Sequence, residues 1–247
     1  KNLILNATDS PDLSNVTSMM GMFAETKAFN GSLSHWDVSS ITDLSYMFYN
    51  NIAFNEDLSQ WDVSSVNNMS HMFTMAKRFN QDIGQWNVSS VTDMSNLFAG
   101  AENFNQDLGD WNTSSVTDMS GMFTYTKAFN RDINQWDVTS VTNMKYMFDT
   151  AEAFNQDISP WDVSSVTDMS HMFRAAESFN QPIGSWDVSA VTNMSEMFQA
   201  SKAFNGDISQ WNVSSVTNMS NMFSGATSFN GKVDQWDISS VQLNYHM

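Results

Sequence analysis

The chain has 247 residues, 41% of them apolar and 13% aromatic, no cysteine, and a formal net charge of −17 at pH 7. The aromatic content indicates an ordered chain, and the missing cysteines exclude disulfides and cysteine-ligated zinc within it. Its acidity argues against nucleic acids and anionic membranes as partners, since both are bound through Lys and Arg, and no apolar run is long enough to predict a membrane span.

Residues 1–28 are interpreted as a lead-in with one partial repeat, and residues 29–241 as tandem repeats of 25 residues. Phe-Asn pairs start at 29, 54, 79, 104, 129, 154, 179, 204 and 229, and one Trp follows in each repeat. A constant period of this length predicts repeats stacked in a row as a single elongated domain, 1–247. Because the chain starts at Lys1 without Met and residues 242–247 stop within a repeat, we expect a piece of a longer protein.

The repeat at 204–228 illustrates the elements predicted in chain order. Asn-Gly at 205–206 predicts a turn, and the β-branched and aromatic residues at 208–216 favour a short strand. Apolar residues at 219, 222, 223 and 226 have the spacing of one helical face, which predicts about two turns of helix over 219–227. The predicted fold class is therefore an α/β repeat solenoid, a leucine-rich-repeat-like right-handed coil with one short parallel strand and one short helix per 25-residue turn.

Two uncharged side chains recur as ladders, Asn directly after Phe and Trp seven residues after Phe. The Asn side chains are predicted to bond the backbone of their own and adjacent repeats. The Trp rings are predicted to be buried, with the indole N–H bonded to a neighbouring carbonyl. Ligand recognition by Asn and an exposed Trp stripe that stacks on sugars remain alternatives. The ladders are Asn55, Asn80, Asn105, Asn130, Asn155, Asn180 and Asn205, and Trp61, Trp86, Trp111, Trp136, Trp161, Trp186 and Trp211.

A third, acidic column consists of Asp57, Asp82, Asp107, Asp132, Asp157 and Asp207. Stacked carboxylates about 5 Å apart repel one another, and calcium, which takes oxygen ligands, is a candidate to screen them. The alternative is that each carboxylate caps nearby backbone N–H groups, which the exchange of Asp for Asn after Trp favours. No other metal or cofactor is predicted. A recurring Thr column raises ice binding, although capping explains the same residues.

Catalytic chemistry is not predicted, and we expect the protein not to be an enzyme. The four histidines are His35, His71, His171 and His246; His71 and His171 share a repeat position but lie four repeats apart, too far to share a metal. No phosphate-binding glycine loop or nucleophile elbow occurs. The clearest variable, outward positions stand two residues before Phe, at Lys77, Glu102, Lys127, Glu152, Glu177 and Lys202.

The segments WDVSSVTDMSHMF at 161–173 and FNQDI at 154–158 resemble the 25-residue repeat of BspA-like surface proteins, named for mycoplasma lipoproteins. The resemblance covers Pro11 to Val241. It implies a leucine-rich-repeat-like fold, an extracellular or cell-surface location, and adhesion to host or matrix proteins or glycans; it carries no catalytic residues.

Two functions are therefore expected from the sequence. The first is a non-enzymatic, cell-surface module that binds proteins or glycans through an extended face of variable residues. The second is a structural spacer, or a stalk that assembles with itself end to end and has no other ligand, a reading that the near-identity of the repeats favours.

Overall fold

The computed structural model describes residues 10–243 and Tyr245, so most of the predicted lead-in, part of the final segment and His246 lie outside the described residues. Successive 25-residue repeats lie against one another and are joined by backbone hydrogen bonds between residues about one repeat apart. Regular secondary structure is almost absent from this part of the chain. It consists of one 3-10 helix, Ile183–Ser185, and isolated parallel bridges of one residue per repeat, Ser18↔Asp43, Asp43↔Asn68, Asn68↔Asp93, Asp93↔Asp118, Asp118↔Asn143, Asn143↔Asp168, Asp168↔Asn193, Asn193↔Asn218 and Asn218↔Leu243.

The predicted α/β, leucine-rich-repeat-like solenoid is wrong, because neither the helix nor the strand of each turn exists in the described residues. The predicted helix is instead a run of consecutive turns. In one repeat the N–H of Met197 donates to the Met194 carbonyl, three residues back, whereas the N–H of Glu196 donates to Ser220 in the next repeat. Glu196 and Ala200 also have left-handed φ angles of 56° and 57°. An α-helix needs φ near −63° and i−4 hydrogen bonds throughout, so this backbone cannot form one.

The predicted strand over 208–216 fails for a similar reason. Within it the N–H of Trp211 donates to Ile208 at 3.2 Å and the N–H of Val216 donates to Val213 at 2.9 Å, which are turn contacts. The bridge residue of this repeat is Asn218, beyond the predicted strand. Turns bring these apolar side chains inward, so the apolar spacing indicated which residues are buried and not the conformation of the backbone.

The core is built from two columns of stacked Phe rings. Within one repeat Phe73 and Phe79 have ring centroids 3.9 Å apart, and Phe73 lies 5.8 Å from Phe98 in the next repeat, with the two rings nearly parallel. Val, Ile, Leu and Met side chains complete the interior. Burial of each such side chain contributes about 1.5–3 kcal/mol, and each repeat relies on its neighbours for that burial. Across the described residues, no helix combines the length and the apolar character that crossing a membrane requires.

Candidate functional site

The Asn ladder is occupied by internal hydrogen bonds. The Oδ1 atom of each Asn accepts the backbone N–H of the Asn one repeat later, at 2.7–3.0 Å, from Asn30 to Asn230. Asn55, Asn80, Asn105, Asn130, Asn155, Asn180 and Asn205 all belong to this chain of bonds. One acceptor of each side chain therefore holds adjacent repeats in register.

The Trp ladder is buried. Trp61, Trp86, Trp111, Trp136, Trp161, Trp186 and Trp211 are 3–4% exposed. Each indole N–H donates to the carbonyl of a Leu or Ile in the preceding repeat, for example Trp61 to Leu33 at 3.0 Å and Trp136 to Leu108 at 2.9 Å. These rings present no stripe on which a sugar could stack, and their polar atoms join neighbouring repeats.

The acidic column is a set of separate turn caps. In each of Asp57, Asp82, Asp107, Asp132, Asp157 and Asp207, Oδ1 accepts the backbone N–H two residues later at 2.8–3.0 Å. A hydrogen bond from the backbone N–H of Ser59 lowers the pKa of Asp57, and a hydrogen bond from the Ser59 hydroxyl lowers it further. Ser209 lowers the pKa of Asp207 in the same way. Within residues 10–243 and 245, no three or more His, Asp or Glu side chains form a group able to hold a metal. Calcium prefers six to eight converging oxygens, and this column does not supply them.

The hydroxyl column is likewise satisfied internally. The Oγ1 atom of Thr117 donates to the Thr92 carbonyl at 3.2 Å, and Thr142 repeats this contact to Thr117 at 3.3 Å. The carbonyls that accept these bonds also accept a backbone N–H from the same Thr. This arrangement is a repeat-to-repeat connection, consistent with a structural role for the column.

One side of each repeat departs from the constant pattern. We call it the variable face and define it by positions 21, 24 and 25 and their equivalents every 25 residues. The Phe between them is constant, from Phe23 to Phe223, whereas position 21 holds Gly, Tyr, His, Asn or Glu and position 24 holds Ala, Tyr, Thr, Asp, Arg, Gln or Ser. Tyr46, Tyr49, Tyr125 and Tyr146 all lie on this face, which leaves only Tyr245 elsewhere among the five tyrosines.

The backbone of the variable face is left-handed at positions 21 and 25 of every repeat. Gly21, Gly100, Gly121 and Gly225 occupy some of these positions, and glycine adopts such angles freely. The others carry side chains, including Tyr46 at φ 57°, His71 at 58°, Tyr146 at 60° and His171 at 59°. Each non-glycine residue costs roughly 1–2 kcal/mol in this conformation.

Two Tyr–His pairs stand on this face, four repeats apart. Tyr46 stacks on His71 with ring centroids 4.4 Å apart, and Tyr146 stacks on His171 at 4.3 Å. All four side chains are half-buried. Burial lowers the pKa of His71 and of His171 from the ordinary value of 6.5, which favours the neutral form of both rings.

The second pair is surrounded by charges that the first pair lacks. Arg174 donates Nε and Nη2 to the two carboxylate oxygens of Asp149 at 3.0 and 2.7 Å, and its Nη1 lies 3.5 Å from Glu196. Glu196 is also 3.1 Å from His171 Nδ1. The Asp149 side chain is 2% exposed. Its hydrogen bond to Arg174 is the main cause that raises the pKa of the guanidinium.

An apolar notch of about 320 Å³ lies between the two Tyr–His pairs, lined in part by Met75, Gly100 and Tyr125. Met75 is 38% and Tyr125 47% exposed. Gly100 makes room for the notch: a Cβ there would come within 2.4 Å of the Met75 sulfur. The notch is thus a concave apolar feature rimmed by two large exposed side chains.

The outward charged column two residues before Phe pairs across repeats. The Nζ atom of Lys77 lies 2.8 Å from Oε1 of Glu102, and Lys127 and Glu152 are paired at the same distance. The Nζ atom of Lys202 lies 2.6 Å from Oε1 of Glu177. All six side chains are well exposed, and such pairs contribute little to stability, about 0–1 kcal/mol each. Their charges neutralise one another, so this column is less distinctive than the variable face beside it.

Sequence reasoning missed the Tyr–His pairs and the Arg174–Asp149 contact. The sequence contained a signal for these contacts, because residues 25 positions apart are neighbours when repeats stack. The pairs 46 and 71, 146 and 171, and 149 and 174 are each 25 residues apart. Comparing the unusual residues of one repeat with those at the same position of the next repeat predicts all three contacts.

A family model described as "Mycoplasma protein of unknown function, DUF285" matches the chain over residues 1–108, 80–169 and 155–247, three overlapping segments that together span it. No curated protein matches the chain.

Proposed function

We propose that this chain, which belongs to the DUF285 family of mycoplasma proteins of unknown function, is a non-enzymatic binding module that attaches to a partner protein or glycan through its variable face. The observation that carries the proposal is the range of aromatic, charged and small side chains at positions 21, 24 and 25 of the repeats, which include every tyrosine of residues 10–243. The Phe, Trp, Asn and Thr columns, in contrast, are constant or nearly so, and their side chains are occupied by core packing and repeat-to-repeat hydrogen bonds.

The strained backbone supports this choice of face. Glycine occurs at positions 21 and 25 in several repeats, so the fold accepts it there. Tyr46, His71, Tyr146 and His171 take the same conformation at a cost of roughly 1–2 kcal/mol each. Retaining strained residues where glycine would serve favours a role for their side chains, since strain persists where function needs it.

The chemistry of the face suits macromolecular recognition. Tyr and Arg are enriched among residues that dominate binding energy, because they bury large areas and also donate hydrogen bonds. Tyr46, Tyr49 and Tyr146 are half-buried and contact neighbouring rings, so little side-chain entropy is lost when they bind a partner. The apolar notch between Met75 and Tyr125 adds a pocket for an apolar group of the partner.

The resemblance of 161–173 to BspA-like repeats supports an extracellular or cell-surface location and an adhesive role. The net charge of −17 favours basic proteins or neutral glycans over nucleic acids as partners. No cofactor is required by this proposal.

A structural spacer is the second candidate. The Asn, Trp and Thr hydrogen bonds join every repeat to the next, which suits a stiff stalk. This candidate predicts no saturable ligand, and the strained aromatic residues of the variable face are then without a purpose.

The test is a binding screen of the labelled chain against glycans, matrix proteins and cells, with and without calcium. A four-site variant, Tyr46→Gly, His71→Asn, Tyr146→Gly and His171→Asn, removes the paired rings but uses residues that occupy the same column in other repeats. The control is Gln60→Ala with Gln135→Ala, two exposed residues outside the face. We expect saturable binding that weakens at least about tenfold in the four-site variant, a change of about 1.4 kcal/mol, and is unaltered in the control. A blank screen, or equal loss in both variants, contradicts the proposal.

A further inference from the structure

In four of the described repeats, the residue directly after the ladder Asn has a side chain that donates a hydrogen bond to the ladder Asn of the preceding repeat. The Nε2 atom of Gln181 donates to the carbonyl and to Oδ1 of Asn155, both at 2.8 Å. Gln106 and Gln156 make the same pair of contacts with Asn80 and Asn130. In one repeat a guanidinium takes this place: Arg131 Nε donates to the Asn105 carbonyl at 2.9 Å. Asn80, Asn130 and Asn155 thus each present a carbonyl oxygen and Oδ1 side by side, which suit a planar N–H donor.

Two consecutive repeats lack the donor. Gly206 and Gly231 stand where Gln106, Arg131, Gln156 and Gln181 stand in the four preceding repeats, and among the described residues no side chain donates to the carbonyl of Asn180 or Asn205. Both Asn residues are exposed, as is Asn130 despite its donor Gln156, whereas Asn80, Asn105 and Asn155 are half-buried under their donors. The acceptor pairs of two adjacent repeats are therefore open to solvent.

The missing side chains leave a continuous groove. A cleft of about 530 Å³ is lined by Asn180, Gln181, Pro182, Gly206, Asp207 and neighbouring residues. A second cleft of about 350 Å³ adjoins it and shares Asn205, Gly206 and Asp207. Gly184 borders the first cleft because the Asp207 carbonyl approaches it: a Cβ there would lie 2.2 Å from that oxygen. We call the two clefts together the glycine groove.

We propose that the glycine groove binds an arginine side chain of a partner polypeptide, with the guanidinium donating to the carbonyl and Oδ1 of Asn180 beside the carboxylate of Asp207. Arg131 makes the first of these two contacts within this chain, because its Nε donates to the Asn105 carbonyl. A guanidinium offers several N–H groups in a planar fork that fits paired oxygens, which an ammonium group does not. The net charge of −17 attracts such a group from a distance. This site lies outside the variable face, and its failure leaves the proposed function untouched.

The test is an NMR titration of the full chain with N-acetyl-arginine amide, with the lysine and citrulline amides as probes of equal charge and of similar shape without charge. We expect saturable shifts at Asn180, Asn205 and Gly206 with arginine amide, and at least tenfold weaker binding of the other two. Gly206→Gln restores the side chain that other repeats use and is expected to weaken arginine binding at least tenfold. Equal affinity for lysine amide, or unchanged affinity in Gly206→Gln, overturns the proposal.

A reciprocal variant guards against misfolding, because a Cβ at Gly206 lies 3.1 Å from the Phe204 ring and 3.2 Å from the Gln181 carbonyl. Gln106→Gly removes the donor to Asn80 in a part of the chain that already has Gly84 at the position of Gly184. It is expected to create a second arginine site with shifts at Asn80 and Asn105. Failure of this variant to gain a site, with the fold intact by thermal melting, also overturns the proposal.

Discussion

The two Tyr–His pairs of the variable face have the same backbone and nearly the same ring stacking, but their surroundings differ. Beside Tyr46 and His71, the positions equivalent to 149 and 174 hold Tyr49 and Thr74, which are uncharged. Beside Tyr146 and His171 they hold Asp149 and Arg174, a bidentate pair with one buried partner. The comparison shows that the stack fixes the geometry of the face and leaves its chemistry to a few outward positions. It also predicts that the second region depends on charge where the first does not.

The largest expected effect comes from breaking the ion pair. Arg174→Thr introduces the residue found at 74 and 124, but leaves the Asp149 carboxylate buried without its cation. Loss of one partner of a buried pair costs roughly 3 kcal/mol, measured as a lower urea midpoint. The matched change in the first region, Thr74→Ala, removes a hydroxyl that donates to the Asn96 carbonyl and lies 3.4 Å from His71 Nδ1, and is expected to cost about 1 kcal/mol.

A double variant separates the missing cation from lost packing. Asp149→Ala with Arg174→Thr reproduces the neighbouring residues Ala99 and Thr124 of an earlier repeat. Because no charge is left buried, we expect it to recover most of the stability lost in Arg174→Thr alone. A double variant as unstable as the single one would show that packing, and not charge, distinguishes the second region.

Backbone strain should be shared by both regions. Ala175 follows the second pair with a left-handed φ of 52°. Ala175→Gly is expected to raise the free energy of unfolding by about 1 kcal/mol, since glycine adopts this angle without strain. Ala128→Gly, at a position without a positive φ, is the control and should lower stability by a few tenths to 1 kcal/mol. The same sign for both changes contradicts the left-handed assignment.

Protonation of the histidines should weaken both regions. Burial lowers the folded-state pKa of His71 and His171 below the unfolded value of about 6.5. The unfolded chain then takes up protons first as the pH falls, so stability is full above about pH 6.5 and declines toward the lower folded-state pKa. His71→Asn with His171→Asn, using the residue at 96 and 221, should flatten the stability profile between pH 7 and 5. Histidine proton shifts give both pKa values directly, and values at or above 6.5 are incompatible with this expectation.

The smallest effect is expected outside the face. Lys77→Ala removes an exposed ion pair with Glu102 and should change stability by no more than about 0.5 kcal/mol, with still less effect in high salt. The urea midpoint measures this change. A loss comparable to that of Arg174→Thr would mean that this exposed pair stabilises the fold as much as the pair formed by the buried Asp149 carboxylate.

The 25-residue period and the burial of Phe and Trp could be predicted from the sequence, because both follow from the regular spacing of apolar side chains. The backbone conformation could not be predicted in this way. Apolar residues at 219, 222, 223 and 226 fit a helix, but consecutive turns also place these residues at the core. Glycine or asparagine at 21, 50, 96, 100, 121, 221 and 225 was a hint of left-handed angles. A single repeat does not indicate the left-handed angle, because Tyr, His or Met occupies the equivalent position in other repeats.

The candidate site was partly visible as well. His71 and His171 were recognisable as occupants of one repeat position, but their stacking on Tyr46 and Tyr146 follows from contact between adjacent repeats. The Asp57 column suggested a cation from its charge alone. The structure gives each carboxylate a backbone N–H two residues away, a local partner that charge spacing does not disclose.

The most direct measurement is the dissociation constant of the wild-type chain and of the four-site variant for the partner with the strongest signal in the binding screen. If the variable face is the binding surface, the four-site variant binds at least about tenfold more weakly while its urea midpoint is equal to or above that of the wild type. Equal dissociation constants for the two chains would contradict the assignment of this face.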